Sequence, residues 1–116
     1  MKAINVTRKT ILSKNIKVAD TFLSRMIGLL NRSSLNDGEG LLITHCQSIH
    51  MVFMRFPIDV VFINKEHQVV GLVKEIEPFS FSPFFRKASY AIELPTKAIE
   101  KSGTLRGDFI QIVNVE

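Results

Sequence analysis

The residues able to do chemistry concentrate in one stretch, 46–64, which reads CQSIHMVFMRFPIDVVFIN. It sets His50, Met54, Arg55, Pro57 and Asp59 into an otherwise apolar run. A charge among apolar neighbours must find a partner or be expelled, so this stretch marks where a site would lie. Asp59 is the most telling residue: a carboxylate on a covered strand needs a cation or several backbone N–H donors. Arg25 and Arg55 are the cations that could serve it, and Glu93 is a second carboxylate with the same need. An unperturbed imidazole titrates near neutrality, so His50 could act as an acid or base.

Other chemistry is less favoured. His45, Cys46, His50 and Asp59 include no pair at a familiar zinc spacing, and adjacent strand residues point apart, so no metal is expected. Cys46 and His50 would lie about 13 Å apart on an extended chain, too far for a thiolate and its base. Neither a phosphate loop of the Walker type nor a dinucleotide fingerprint is present, and no cofactor is expected.

The chain has 116 residues, enough for one domain with a real core, and 46% of them are hydrophobic against 22% charged. That composition excludes a largely disordered chain. The net charge is +4, with the excess early: Lys2, Arg8, Lys9, Lys14, Lys17, Arg25 and Arg32 face only Asp20 before Asn36. No aromatic residues interleave with this basic segment as a single-strand stacking platform needs, and nucleic acid is not expected as a partner. No apolar run reaches the roughly 18 residues of a membrane span, so no membrane association is expected either. One cysteine excludes an intrachain disulfide, no signal-peptide pattern is read at the start, and a cytoplasmic location is expected.

The elements that must position these residues are mostly strands. Residues 3–7 alternate and are β-branched; 10–12 and 16–18 read as the two arms of a hairpin. Residues 21–30 have helical spacing behind an Asp20 or Thr21 cap, and 31–40 form a loop rich in turn residues. A strand starts at 40–44 and leads into the central stretch. Read as extended, that stretch puts His50, Val52, Met54 and Phe56 on one side and Met51, Phe53 and Arg55 on the other. Residues 58–63 are apolar on both parities except at Asp59, the pattern of a strand covered on both faces, and 68–76 return beside it.

Residues 78–85, PFSFSPFF, hold four Phe between and beside two Pro. They are expected to fold their rings over an open end of the core, the alternative being exposure for a partner. A strand at 89–94, a short helix from Pro95 to Lys101 stopped by Gly103, and a last strand at 109–113 complete the chain. The expected fold is mainly β (α+β): a single domain over residues 1–116, with a compact, barrel-like, strongly bent mixed sheet of seven or eight strands and two short helices.

The motifs Ala19-Asp20-Thr21 with Arg25, Gly28-Leu29 and Arg32, Gly38-Glu39-Gly40-Leu41, 46–50 with 53–60, Ala88 and Tyr90 with Glu93-Leu94-Pro95, and Gly107-Asp108 run nearly the length of the chain. In them the sequence resembles the bacterial and archaeal family called domain of unknown function 192. The resemblance implies a mainly β fold and signature residues, and brings no established activity. The chain departs from the family pattern at Met51, where Thr is more usual, and at Asn64, where Asp is common.

Three functions follow as expectations. The first is a binding module whose pocket, lined by Arg25, His50, Met54, Arg55, Asp59 and Glu93, takes a small polar or anionic ligand or an extended peptide. The second is an enzyme in which His50 works with Asp59 or Glu93. The third is a protein-interaction module docking through Phe79 to Phe85. The first two require these charged residues to gather at one mouth of the fold.

Overall fold

The computed structural model describes residues 1–20, 32–52 and 54–114. Eight strands appear among them: β1 (Lys2–Asn5), β2 (Thr10–Ser13), β3 (Asn15–Ala19), β4 (Glu39–Thr44), β5 (Ile58–Ile63), β6 (Val69–Ile76), β7 (Tyr90–Leu94) and β8 (Ile110–Val113). One helix, α1 (Ala98–Ser102), lies between β7 and β8. The helix expected at 21–30 lies outside the described residues.

The strands form two sheets, β2-β1-β8 and β3-β4-β7-β5-β6. All pairings are antiparallel except β3 with β4. The larger sheet is covered on both faces. On one face Leu42, Val61, Ile63, Ile92 and Leu94 pack with Ala3, Leu12 and Ile110 of the smaller sheet and Ile99 of α1. On the other, Ile43, Val60, Phe62 and Ala91 pack with Ile49, Met51, Met54 and Phe56. Every residue of β5 is buried, as the two-parity apolar pattern of 58–63 predicts.

The mainly β class and the eight strands agree with the sequence, but the barrel does not close. The two sheets meet at an isolated bridge between Gln68 and Phe109, so edges remain open. The expected hairpin of 10–12 with 16–18 is also absent. Ser13 Oγ and the N–H groups of Lys14 and Asn15 all donate to the carbonyl of Gly38, at 2.8–3.0 Å, and this carries the chain from one sheet into the other. β2 therefore pairs with β1, while β3 runs parallel to β4.

The central stretch is not a strand before Ile58. Met51 O accepts from Met54 N at 3.2 Å and from Phe79 N at 2.8 Å, so the chain turns where alternation suggested extension. Met51, Met54 and Phe56 are consequently all buried while Arg55 is exposed, in place of the two-sided split read from the sequence. Residues 47–51 instead run beside 80–85 as an irregular antiparallel ribbon. Met51 N donates to Ser80 O, Ser82 N to Ile49 O and Phe85 N to Gln47 O, at 2.8–2.9 Å.

Candidate functional site

Asp59 sits on β5 at 1% exposure, and its position explains its retention. Oδ1 accepts from Glu75 N at 2.9 Å and Oδ2 from Ile99 N at 3.0 Å. Glu75 has φ 52°, the irregular point of β6 opposite the start of β5. Lys97, the residue before α1, has φ 78° and offers no side-chain cap, so the carboxylate of Asp59 satisfies the helix N-terminus from another element. Of the two ways to keep a buried carboxylate, the structure uses backbone donors. Arg55 is exposed and Arg25 lies outside the described residues.

The expected single mouth is not formed by the two carboxylates. β5 and β7 pair Asp59 with Leu94 and Val60 with Glu93. Residues paired across an antiparallel ladder share a face, so Asp59 faces α1 and the smaller sheet while Glu93, fully buried, faces the core that holds Val60. One residue of register separates them, and the side-chain period of two turns that into opposite faces. Met54 is a core residue at 4% exposure. His50, partly buried, borders a hollow of about 390 Å³ with Asp20, Cys46, Gln47 and Phe84.

A cleft of about 730 Å³ opens between the sheets and is lined by Leu42, Tyr90 and Ile112 together with Thr44, His45 and His67. Its two histidines have φ of 50° and 65°, a region non-glycine residues rarely occupy. His67 Nδ1 lies 3.1 Å from Tyr90 Oη, and burial pushes the Tyr90 hydroxyl up to about 12.

A third cleft, of about 690 Å³, gathers Arg86, Lys87 and Arg106 with Asn64, Gln68 and Phe84. Among the described residues it has no carboxylate in its lining, and none of its three cations forms an ion pair. Four cations elsewhere, Arg8, Arg32, Lys97 and Lys101, do have carboxylate partners; Arg32 grips Glu39 with two bonds of 2.5 and 2.6 Å, which holds the Glu39 carboxyl below its ordinary value. Sequence reading missed this cleft. Its only local signal is Arg86-Lys87 directly behind the Phe segment; Arg106 arrives from 20 residues away through the Gly107 turn, where Gly107 N donates to Val69 O at 2.8 Å.

A buried polar network was missed as well. Asn5 Nδ2 donates to Thr104 Oγ1 and Asp108 Oδ2, each at 3.0 Å. Asp108 Oδ2 also accepts from Arg8 Nε at 3.0 Å and Leu105 N at 2.9 Å. Burial pushes the Asp108 carboxyl up, but the bonds from Arg8, Asn5 and Leu105 outweigh it and hold the group below its ordinary value. An Asn inside the alternating apolar run at 3–6 is the signal that could have found it.

Comparison with known proteins carries the remaining information. The chain is 33% identical over 111 residues to a UPF0127 protein of Thermococcus sibiricus, covering 92% of this chain and 71% of the relative. It is 32% identical over 111 residues to a UPF0127 protein of Pyrococcus furiosus, covering 93% and 95%. In fold it is similar to a crystal structure of a protein of unknown function from Novosphingobium aromaticivorans, with a TM-score of 0.79 at 17% identity over 96% of this chain and 82% of that one. The family model for DUF192, described as Uncharacterized ACR, matches residues 3–112. The chain, whose motifs resemble that family from end to end, belongs to it.

Proposed function

We propose that this protein is a binding module for a small anionic ligand, and that the ligand sits in the cleft of Arg86, Lys87 and Arg106. The observation that carries this reading is three cations lining about 690 Å³ with no carboxylate among the described lining residues. Like charges gathered without counter-charges raise the local potential and draw an anion, and planar guanidinium groups bind oxyanions with paired donors. Gln68 Nε2 donates to Gly107 O at 3.0 Å and fixes the cleft floor, while Asn64 Oδ1 accepts from Glu66 N and Gln68 N and fixes its wall. The sequence expectation was a small polar or anionic ligand or an extended peptide; this reading keeps the anionic ligand and assigns it to different residues. The enzyme reading gains no such support, because Asp59 does not border the hollow at His50.

Titration with inorganic pyrophosphate tests the proposal. Melting temperature rises with pyrophosphate, and the Nε–H resonances of Arg86 and Arg106 shift in step with it. Arg106→Gln weakens both responses by about tenfold, the loss of one charge-assisted contact. A flat melting temperature with unmoved arginine resonances overturns the reading.

A further inference from the structure

The Phe segment does not behave as a lid. Only Phe85 folds inward, its ring centroid 4.5 Å from that of Phe62 and its edge filling the space a side chain at Gly71 would need. Phe79, Phe81 and Phe84 are 68%, 72% and 64% exposed. Three solvated rings within six residues are a large apolar patch for so small a surface, and such patches mark interaction sites.

The backbone beneath these rings indicates what they meet. Pro78 and Pro83 have no N–H to offer. Phe79 N donates to Met51 O, Ser80 N to Glu77 O, Ser82 N to Ile49 O and Phe85 N to Gln47 O. The hydroxyls turn inward too, Ser80 Oγ to Glu77 O at 2.5 Å and Ser82 Oγ to Pro83 O at 2.9 Å. A peptide adding as a strand needs a row of open backbone donors; of residues 78–85 the two prolines have none and Phe79, Ser80, Ser82 and Phe85 spend theirs within the chain, which leaves at most the N–H groups of Phe81 and Phe84. A lipid phase needs the reverse: apolar side chains outward, with backbone polar groups satisfied inside the protein. Directly behind the rings stand Arg86 and Lys87, with Arg106 in the same cleft and Phe84 on its rim. Against them Glu77 contributes one exposed acidic charge at the loop entry, since Glu75 is paired with Lys97 at 3.2 Å.

We infer that the 78–85 loop docks this protein on the surface of an anionic lipid bilayer. Phe79, Phe81 and Phe84 enter the boundary between headgroups and acyl chains, and Arg86, Lys87 and Arg106 meet lipid phosphates; the second half of this statement rests on reading their cleft as an anion site. Docking of this kind needs no spanning segment, and among the described residues no helix is long and apolar enough to cross a membrane. The sequence expectation of no membrane partner rested on spanning length alone and does not bear on a surface loop.

The test is co-sedimentation of the whole chain with phosphatidylcholine vesicles, with and without a quarter of phosphatidylserine. Anionic vesicles bind it about tenfold more tightly than neutral ones, as expected for apolar insertion assisted by three cations. The triple variant Phe79→Ser, Phe81→Ser, Phe84→Ser loses about tenfold or more of vesicle binding while its melting temperature stays unchanged, and the double variant Phe79→Ser, Phe81→Ser, which leaves the cleft rim intact, loses vesicle binding but keeps the pyrophosphate response. Absence of the parent chain from sedimented anionic vesicles, or equal binding by the triple variant, overturns the docking. Pyrophosphate response kept with vesicle binding absent overturns the docking alone. Ring-dependent vesicle binding indifferent to phosphatidylserine, with no pyrophosphate response, overturns the anion site and the headgroup contacts together.

Discussion

Two polar regions of this molecule are built on opposite principles. Around Asn5, Ser102, Thr104 and Asp108, four buried polar residues bond to one another and to nearby backbone: Ser102 Oγ meets Thr104 Oγ1 at 2.7 Å, and Thr10 Oγ1 reaches Ser102 O at 2.7 Å. The face formed by the Phe loop and the cleft behind it leaves three rings in solvent and three cations without ion pairs among the described residues. Polar groups closed on each other fix the fold, whereas groups held open have something left to bind. The comparison also reassigns Asp59, the residue that looked most functional in the sequence. With both oxygens occupied by backbone donors from β6 and α1, it belongs with the closed set.

The largest effect expected from that assignment is on stability. Asp59→Ala leaves the part-buried N–H of Glu75 and the buried N–H of Ile99 without acceptors, and it costs about 3 kcal/mol, the sum of two lost acceptors. Urea unfolding measures it. A loss below about 1 kcal/mol, accompanied by a lost pyrophosphate response, would move Asp59 back to the functional side of the comparison.

The four Phe of one segment provide an internal control for the same division. Phe85→Ala removes a ring packed on Phe62 and Gly71 and costs about 2 kcal/mol, less than a fully buried ring because Phe85 is only partly covered. Replacing Phe79, Phe81 and Phe84 together by Ser changes unfolding by no more than about 0.5 kcal/mol, as for surface positions generally. Equal costs at both sets would mean that the exposed rings support the core after all.

Much of this was legible in the chain itself. The doubly covered β5 shows in apolar residues of both parities, and α1 shows in Pro95 ahead of it and Gly103 behind, where Gly103 takes φ 67° and its N–H caps Glu100 O. What could not be read depends on bonds between distant residues. The separation of β2 from β3 rests on one carbonyl, Gly38 O, 24 and 23 residues from the Lys14 and Asn15 donors it collects. The turn at Met51 depends on Phe79, and Met51 and Met54 both suit a strand pattern equally well. The three cations of the proposed cleft were not singled out in the sequence. Charges within a strand draw attention because local sequence displays them, while Arg86, Lys87 and Arg106 meet only after folding.

The smallest loss expected within the closed set concerns the Asp108 network and reads out through pH. The carboxyl of Asp108 lies below its ordinary value in the folded chain, so its ionised form favours folding. Its contribution is present above the ordinary carboxylate range near pH 4 and is lost as pH falls through the lower folded value. Asp108→Asn keeps the size of the group but gives up the charge that Arg8 and the donors of Asn5 and Leu105 meet on one oxygen. At neutral pH the variant is less stable by about 1 kcal/mol, and the gap narrows as both proteins are acidified, because the parent loses what the variant already lacks. Urea midpoints taken from pH 7 down to pH 2 record this convergence. Two parallel curves with a constant gap would mean that Asp108 holds the network by its shape and not by its charge.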